Sequence, residues 1–174
     1  MKKALALFGL LACFSISMFA QDIVGKWRSE PFTEDNEQQM MGIFELTFNK
    51  NKTMLLNLNF TLSDPETMEM RCHFSINGTY SKMEDNVVPI HLDKVKTDFY
   101  IDDLKLNGEM AAVADKELID GFKQILQQQF EENKEDLSED FPENGEITIT
   151  NLTNSSMTIH FSDEDKVHKM TRVK

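Results

Sequence analysis

Hydrophobic and polar residues alternate with a period of two between residues 44 and 80. In residues 54–62 every even position is apolar and most odd positions are polar, and the same alternation runs through residues 68–80. A shorter stretch of this kind covers residues 44–48. Because successive side chains of a β-strand point to opposite faces, the pattern predicts antiparallel strands with one buried and one solvated face.

Weaker alternation, bounded by turn residues, predicts five further strands. In one of them the apolar positions change parity at Asp102-Asp103, and such a slip predicts a β-bulge. With a first strand near Gly25, the chain is expected to contain about eight to nine strands. The five further segments are residues 88–92, 95–106, 147–149, 157–161 and 167–173.

The period changes between the sixth and seventh predicted strands. From residue 115 to about residue 137 the apolar positions recur every three to four residues, and Asp115 is suited to the N-cap. One α-helix is therefore inserted in a mainly β domain. The number and spacing of the strands favour an antiparallel up-and-down β-barrel, and a β-sandwich is the alternative. The two differ in whether the first and last strands pair.

The first twenty residues have a different character from the rest. Lys2 and Lys3 precede an apolar or small run that ends at Ala20, and polar sequence begins at Gln21. This order is typical of a secretory signal peptide, and the run is short for a membrane helix, which needs about 20 apolar residues. We expect cleavage between Ala20 and Gln21, export to the periplasm or beyond the cell, and a single domain over residues 21–174.

A minor alternative involves Cys13. Residues 10–13 are similar to the site at which bacterial lipoproteins are cut and acylated, which predicts a lipoprotein anchored through this cysteine. The apolar run continues past Cys13 to Ala20, so we expect no stable membrane anchor. After cleavage Cys72 is the one cysteine that remains, and the domain is held together by its core without an intrachain disulfide.

Acidic residues strongly outnumber basic ones. The chain has 30 Asp and Glu against 18 Lys and Arg, a formal net charge of −12, and loss of Lys2 and Lys3 makes the exported part more acidic still. Binding to nucleic acid or to an anionic membrane requires clustered Lys or Arg. The charge balance therefore disfavours both as partners.

Two features at the ends of the predicted domain carry a resemblance. Gly25-Lys26-Trp27 opens the domain, and Arg172 lies near the end of the last predicted strand. This arrangement resembles lipocalins and the short bacterial lipocalin-like domains. The resemblance implies a barrel whose floor is closed by Gly25 and Trp27, with Arg172 packed over the indole ring as a cation–π pair.

No catalytic or metal-binding apparatus is evident in the sequence. No nucleophile is paired with a base, and the histidines do not pair at metal-ligand spacing, so we expect no enzyme, no metal and no cofactor. Cys72 lies among apolar residues and is expected to be a buried structural thiol. We expect solvated surface positions for the four histidines, which are His73, His91, His160 and His168.

The predicted interior face is the one surface that suggests a function. It mixes flexible thioethers with aromatic rings, a lining that suits an apolar ligand as well as it suits a filled core. The sequence predicts an exported carrier or scavenger of a small hydrophobic molecule; the alternative is a non-enzymatic protein-interaction or inhibitor domain of the same fold. The predicted lining residues are Phe44, Met54, Leu58, Phe60, Met68, Met70, Phe74 and Tyr80.

Overall fold

The computed structural model describes residues 22–35, 39–133, 143–162 and 166–174. The predicted signal peptide, Cys13 and the cleavage site at Ala20 and Gln21 lie outside these residues. Neither helix in the described ranges has the length and apolar character needed to cross a membrane. The elements in the described ranges are β1 (Gly25–Ser29), β2 (Phe32–Asp35), β3 (Gln39–Phe48), β4 (Thr53–Asp64), β5 (Met68–Tyr80), β6 (Val87–Leu106), α1 (Gly108–Ala111), α2 (Lys116–Glu132), β7 (Asn144–Thr150), β8 (Ser156–Phe161) and β9 (Val167–Arg172).

All nine described strands belong to one antiparallel sheet. Consecutive strands pair from β3 to β9, and β1 pairs with both β9 and β3, so eight strands form a closed ring. The remaining strand, β2, pairs with the other half of β3. The prediction of a mainly β, up-and-down fold is confirmed. The pairing of the first strand with the last favours the closed arrangement over a sandwich.

The strand count agrees with the sequence, but two strands differ from expectation. The segments predicted at residues 88–92 and 95–106 join into the single strand β6. Ile76 of β5 pairs with Thr97 and the next residue pairs with Asp93, which leaves residues 94–96 as an outward loop within the strand. The Thr97 hydroxyl donates to the carbonyl of Lys94 over 2.8 Å and stabilises this loop. The unpredicted strand β2 brings the total back to nine.

The predicted bulge at Asp102-Asp103 is confirmed. Arg71 pairs with Asp103 and Cys72 pairs with Ile101, so Asp102 has no partner residue on β5. The extra residue restores the apolar side chains on both sides of it to the inner face, as a bulge does when the parity of a strand slips.

Helix α2 begins where the sequence predicts and ends earlier. The Asp115 carboxylate accepts a hydrogen bond from the Leu118 amide over 2.9 Å, as expected of an N-cap. The last helical residue is Glu132, whereas the apolar pattern predicted an end near residue 137, and residues 134–142 lie outside the described ranges. Asn133 is the C-cap, and its backbone N–H and its side-chain amide both donate to the Gln129 carbonyl, over 3.1 and 2.7 Å.

An ion cluster around the buried Glu45 joins β1 to β3 on the outer face of the ring. Glu45 is only 5% exposed, and it accepts from Lys26 over 2.7 Å and from Arg28 over 2.6 Å. Burial raises the pKa of the Glu45 carboxyl, but the hydrogen bonds and positive charges of Lys26 and Arg28 together outweigh this effect. The pKa of Glu45 therefore lies below its ordinary value.

Replacing Glu45 by Gln is expected to lower the free energy of unfolding by about 1–2 kcal/mol at pH 7, because two cations lose their negatively charged partner and one of its two acceptor oxygens. A lowered carboxyl pKa stabilises the fold above the pKa of the unfolded chain, and this contribution disappears as the pH falls through the folded-state pKa. The gap between wild type and Glu45→Gln should therefore close on acidification.

Urea unfolding of both proteins from pH 7 down to pH 4 and below measures this gap. Glu69→Gln is the control, since Glu69 pairs with Lys105 at the surface, where its side chain is 38% exposed. Such a pair contributes about 0–1 kcal/mol. A gap for Glu45→Gln that stays constant with pH, or that is no larger than the gap for Glu69→Gln, contradicts the assignment.

Candidate ligand-binding site

One end of the ring is closed by an indole and a guanidinium. Trp27 is fully buried, and its ring nitrogen donates to the Ile23 carbonyl over 2.7 Å. The Arg172 guanidinium lies over the indole with 4.3 Å between its carbon and the ring centroid. It also donates to the carbonyls of Val24 and Asp22 over 2.8 and 2.7 Å. These bonds tie the residues before β1 to the last strand.

Gly25 is required by the closeness of this packing. Its φ of +139° lies in a region of backbone conformation that residues with a Cβ atom rarely adopt. A Cβ at this position would lie 2.9 Å from Nη1 of Arg172. Gly25, Trp27 and Arg172, on which the resemblance was based, therefore lie together. The end that they fill is called the packed end below.

Two of the eight predicted lining residues belong to the core of the packed end. Met54 is 2% exposed and lies opposite Phe48 in the register of β3 and β4. The ring of Tyr80 meets the edge of Phe48 with 5.1 Å between centroids, and its hydroxyl donates to the Asn49 carbonyl over 2.7 Å. Met54 and Tyr80 therefore contribute to the packing of this end.

The other six predicted lining residues lie along the inner face further from the packed end. Phe44, Leu58 and Phe74 form one row across three strands, with Phe99 of β6 completing the row. Three of the six are buried, namely Phe44, Met70 and Phe74. The other three are only half-buried, namely Leu58, Phe60 and Met68.

The strands of the ring differ in length. The strands β3 to β6 contain 10 to 20 residues, whereas β7, β8, β9 and β1 contain 5 to 7. The long strands therefore extend beyond the short ones, and the inner faces of these extensions have no short strand opposite them. We call this region the open end, and define it by its half-buried inward side chains, which are Phe32, Leu58, Phe60, Leu62, Met68 and Phe161.

Phe32, Leu62 and Phe161 were not identified as lining residues from the sequence. Leu62 continues the even-numbered apolar positions of β4 and Phe161 continues the odd-numbered apolar positions of β8, so the alternation did contain a signal for both. Phe32 had no such signal. It lies opposite Gly42, whose missing side chain leaves room for the Phe32 ring, since a Cβ there would lie 2.5 Å from it.

Helix α2 packs through its apolar stripe against the inner side of the wall formed by the long strands β3 to β6, called the long wall below. The ring of Phe130 stacks on Phe99 with 4.0 Å between centroids. Three more helix residues pack half-buried against the core, namely Ile119, Phe122 and Leu126. None of the 17 residues of α2 is fully buried. The helix therefore covers core residues without becoming part of the core.

Gln127 attaches this helix to the main chain of β6. Its amide nitrogen donates to the Phe99 carbonyl over 2.6 Å, and its amide oxygen accepts from the Ile101 N–H over 3.0 Å. Lys123 adds a bond to the Asp102 carbonyl over 2.9 Å. The Gln127 side chain therefore supplies the donor and the acceptor that a neighbouring strand would offer, at a part of β6 that β7 does not reach.

The sequence predicts a solvated surface position for His168, and this prediction is wrong. It pairs with Ile159 and precedes the buried Met170 by two residues, so alternation places it on the inner face of β9. Its ring meets Phe44 at 4.7 Å and 84°, and Phe161 at 6.2 Å and 68°. The histidine side chain is half-buried beside the open end.

The cysteine and the possible metal ligands show no catalytic arrangement in the described residues. Cys72 is buried on the inner face of β5, and burial, with a smaller contribution from the Asp102 charge, raises the pKa of its thiol to about 12. A thiol with such a pKa is not a nucleophile at neutral pH. Within the described ranges, no three His, Cys, Asp or Glu side chains are grouped so that they could hold a metal ion.

Comparison with known proteins assigns no function to this arrangement. No protein-family model matches the chain, and a search of curated proteins finds no similar sequence. The contacts described above are therefore the basis for the function proposed below.

Proposed function

We propose that the ring is a small β-barrel of the lipocalin-like kind and that its open end binds one small apolar molecule. The observation that carries the proposal is the contrast between the two ends. At the packed end Trp27 and Phe48 are fully buried, whereas at the open end inward-facing aromatic and thioether side chains are left half-buried. Closed sheets of eight strands have room for side chains or for one small ligand.

Exposed apolar surface at the open end provides a driving force for binding. Covering about 200 Å² of such surface, roughly that of one large aromatic side chain, is worth about 5 kcal/mol before the costs of association. Thioethers such as Met68 adapt their shape to different occupants. The open end therefore suits an apolar ligand of modest size and does not require a single rigid shape.

Compartment and resemblance support the same proposal. The expected signal peptide directs the domain to the periplasm or beyond the cell, where an apolar molecule needs a protein to cross water. Gly25, Trp27 and Arg172 close one end of the ring in the way that the lipocalin-like resemblance implies. We therefore propose an exported lipocalin-like carrier or scavenger and not an enzyme.

A neutral fluorophore, N-phenyl-1-naphthylamine, tests the proposal by titration. Wild type is expected to bind it with micromolar affinity. Leu58→Trp, which fills the open end from β4, should weaken binding at least tenfold. Leu55→Trp is the matched control, because Leu55 is a half-buried leucine of the same strand on the opposite face. No binding by wild type, or equal affinities in the two variants, overturns the proposal.

Native mass spectrometry of the protein purified from its own host provides a second test. A bound mass of a few hundred daltons that is lost on denaturation is the expected result. A bare protein mass, combined with no fluorophore binding, contradicts a role in carrying a small molecule.

Helix α2 is the proposed gate to the open end, because it is held on β6 by half-buried contacts and by Gln127. Gln127→Ala removes two hydrogen bonds, worth about 1–2 kcal/mol together. Release of the fluorophore and amide exchange in Lys116–Glu132 should both become about 5–30 times faster. Stopped-flow fluorescence and hydrogen-exchange mass spectrometry measure the two rates.

Gln124→Ala is the control for this gate, since Gln124 is exposed on the same helix. It is expected to change neither rate by more than about twofold. If Gln127→Ala behaves like Gln124→Ala, the helix does not control access to the open end.

One observation favours the second candidate, a protein-interaction or inhibitor domain. Leu118 and Ile125 lie two turns apart on α2 and are 49% and 56% exposed. Exposed apolar residues on one side of a helix are typical of a docking surface for a partner protein. If the ligand binds at the open end, the double variant Leu118→Gln/Ile125→Gln should retain full fluorophore binding. Loss of binding would mean that the fluorophore binds to this face of the helix instead.

A further inference from the structure

We propose that helix α2 covers a strand-pairing edge of β6, and that this edge, once the helix is displaced, binds an extended peptide in which apolar and basic residues alternate. The edge is a different surface from the open end, and its partner is a protein segment and not a small molecule. The basis of the proposal is the way in which side chains of α2 occupy main-chain groups of β6.

The part of β6 from Asp98 to Asp103 that faces away from β5 is called the β6 edge here. Strand β7 pairs with residues 87–91 of β6, and among the described residues no strand pairs with the β6 edge. Phe99 and Ile101 direct main-chain groups outwards at this edge, because successive residues of a strand bond to opposite sides. Such an edge is a template for pairing with another chain when nothing covers it.

Side chains of α2 bind three main-chain groups of the β6 edge. Gln127 donates to the Phe99 carbonyl over 2.6 Å and accepts from the Ile101 amide over 3.0 Å, as a neighbouring strand would. Lys123 donates to the Asp102 carbonyl over 2.9 Å. The helix therefore competes with an added strand for the same donor and acceptors.

Few contacts hold α2 on the long wall. None of its residues is fully buried, and its apolar contacts with the core come from four half-buried side chains. An element attached in this way opens more readily than the strands of the core. A peptide strand at the β6 edge replaces the bonds of Gln127 and extends them to neighbouring main-chain groups, which is the mode of recognition known as strand addition.

The two faces of β6 determine which side chains suit the partner. Phe99 and Ile101 are buried on the inner face, so every second residue of an added strand lies beside apolar side chains. Asp98 and Asp102 are exposed, and neither carboxylate forms an ion pair with another described residue. Lysine or arginine at the alternate positions therefore complements the edge, since opposite charges on adjacent strands attract.

A second copy of this chain fits the β6 edge poorly. Antiparallel pairing of two such edges about Tyr100 would bring Asp98 of each copy close to Asp102 of the other. Like charges in these positions destabilise a strand pair. The formal net charge of −12 also favours a basic partner over a second copy.

Binding of a designed peptide tests the proposal. The probe is a rhodamine-labelled heptapeptide in which four lysines alternate with three valines, and fluorescence anisotropy measures its affinity. Gln127→Ala removes two bonds with which the helix competes, so this variant should bind the probe about 5–30 times more tightly than wild type. Gln124→Ala, at an exposed position of the same helix, is the control and should bind it as wild type does.

Modified peptides separate strand pairing from general attraction to an acidic protein. The valines lie opposite Phe99 and Ile101 in the expected pairing, so their N–H groups bond to the edge. Methylation of the three valine nitrogens should weaken binding to Gln127→Ala at least about tenfold, whereas methylation of lysine nitrogens, which point away, should change it less than about threefold. Replacing all four lysines by glutamate should also weaken binding at least about tenfold.

Hydrogen-exchange mass spectrometry of Gln127→Ala saturated with the probe locates the bound peptide. Amides of Lys116–Glu132 should exchange faster than in the free variant, because the peptide displaces the helix. Amides of residues 98–103 should exchange more slowly, because the peptide covers them.

Four results overturn the proposal. They are no binding of the probe to Gln127→Ala, equal affinity of this variant and wild type, equal effects of the two methylation patterns, and unchanged exchange of the α2 amides at saturation. None of them contradicts the proposed ligand site, because binding of the fluorophore at the open end requires no strand at the β6 edge.

Discussion

Replacing Trp27 by Ala is expected to lower the free energy of unfolding by about 3–5 kcal/mol, the usual cost of emptying a buried aromatic position. The indole is fully buried and is held by the Ile23 carbonyl and the Arg172 guanidinium. Its removal leaves a cavity at the packed end and removes the cation–π contact of the Arg172 guanidinium. The pairing of β1 with β9, which closes the ring, should weaken as a result.

Circular dichroism during urea unfolding measures this change, because Trp27 is the only tryptophan and its fluorescence disappears with it. Arg172→Lys is the matched comparison. It keeps a positive charge but loses the planar group that bonds two carbonyls, so a smaller loss of about 1–2 kcal/mol is expected. A loss below about 1 kcal/mol for Trp27→Ala would mean that the packed end does not depend on this residue.

Phe99→Ala should produce the second large effect, a loss of about 3–5 kcal/mol together with release of helix α2. Phe99 is 3% exposed, stacks on Phe130 and lies 6.5 Å from the ring of Phe60. It connects the helix to the inner face of the long wall. Without the ring, the helix keeps only Gln127, Lys123 and the rest of its half-buried stripe.

Hydrogen-exchange mass spectrometry separates the two parts of this effect. The amide exchange rates of Lys116–Glu132 should increase by a larger factor than those of β7 to β9, which report the global destabilisation. Tyr100→Ala is the control, since Tyr100 is the next residue, points outward and is 52% exposed. Equal acceleration of the helix and of these strands would show that Phe99 does not hold the helix.

Local chemistry was sufficient to predict much of the fold. The alternation in residues 54–62 and 68–80 reports which face of each strand is buried, and it corresponds to β4 and β5 with no change of face. The bulge at Asp102 and the N-cap at Asp115 were equally visible, because each depends on a few neighbouring residues. These features need no knowledge of what packs against them.

Features that depend on distant strands could not be predicted. The short strand β2 has no alternating pattern, and it forms because β3 extends beyond β1 and leaves a free edge with which β2 pairs. Glu30 and Pro31 separate β2 from β1. After this break the chain no longer pairs with β9 but continues to pair with β3. Likewise, two predicted strands join into β6 because β5 is long enough to pair with both.

The predicted lining residues fall into two groups that the sequence pattern does not distinguish. Met54 and Met68 occupy equivalent positions in the sequence pattern, yet one is fully buried at the packed end and the other half-buried at the open end. The difference reflects where each methionine lies along the inner face, which the pairing of distant strands decides. His168 shows the same limit, since only the register of β9 against β1 and β8 places it on the inner face.

Methyl resonances of methionine test the central claim most directly, because methionines of the described residues lie at both ends of the ring. Met68 and Met70 report on the open end and Met54 on the packed end, each assigned by substitution with Leu. On titration with N-phenyl-1-naphthylamine, we predict that the Met68 and Met70 signals shift in a saturable manner while the Met54 signal stays in place. Equal shifts at Met54, or no shift at any of the three, would contradict a ligand site at the open end.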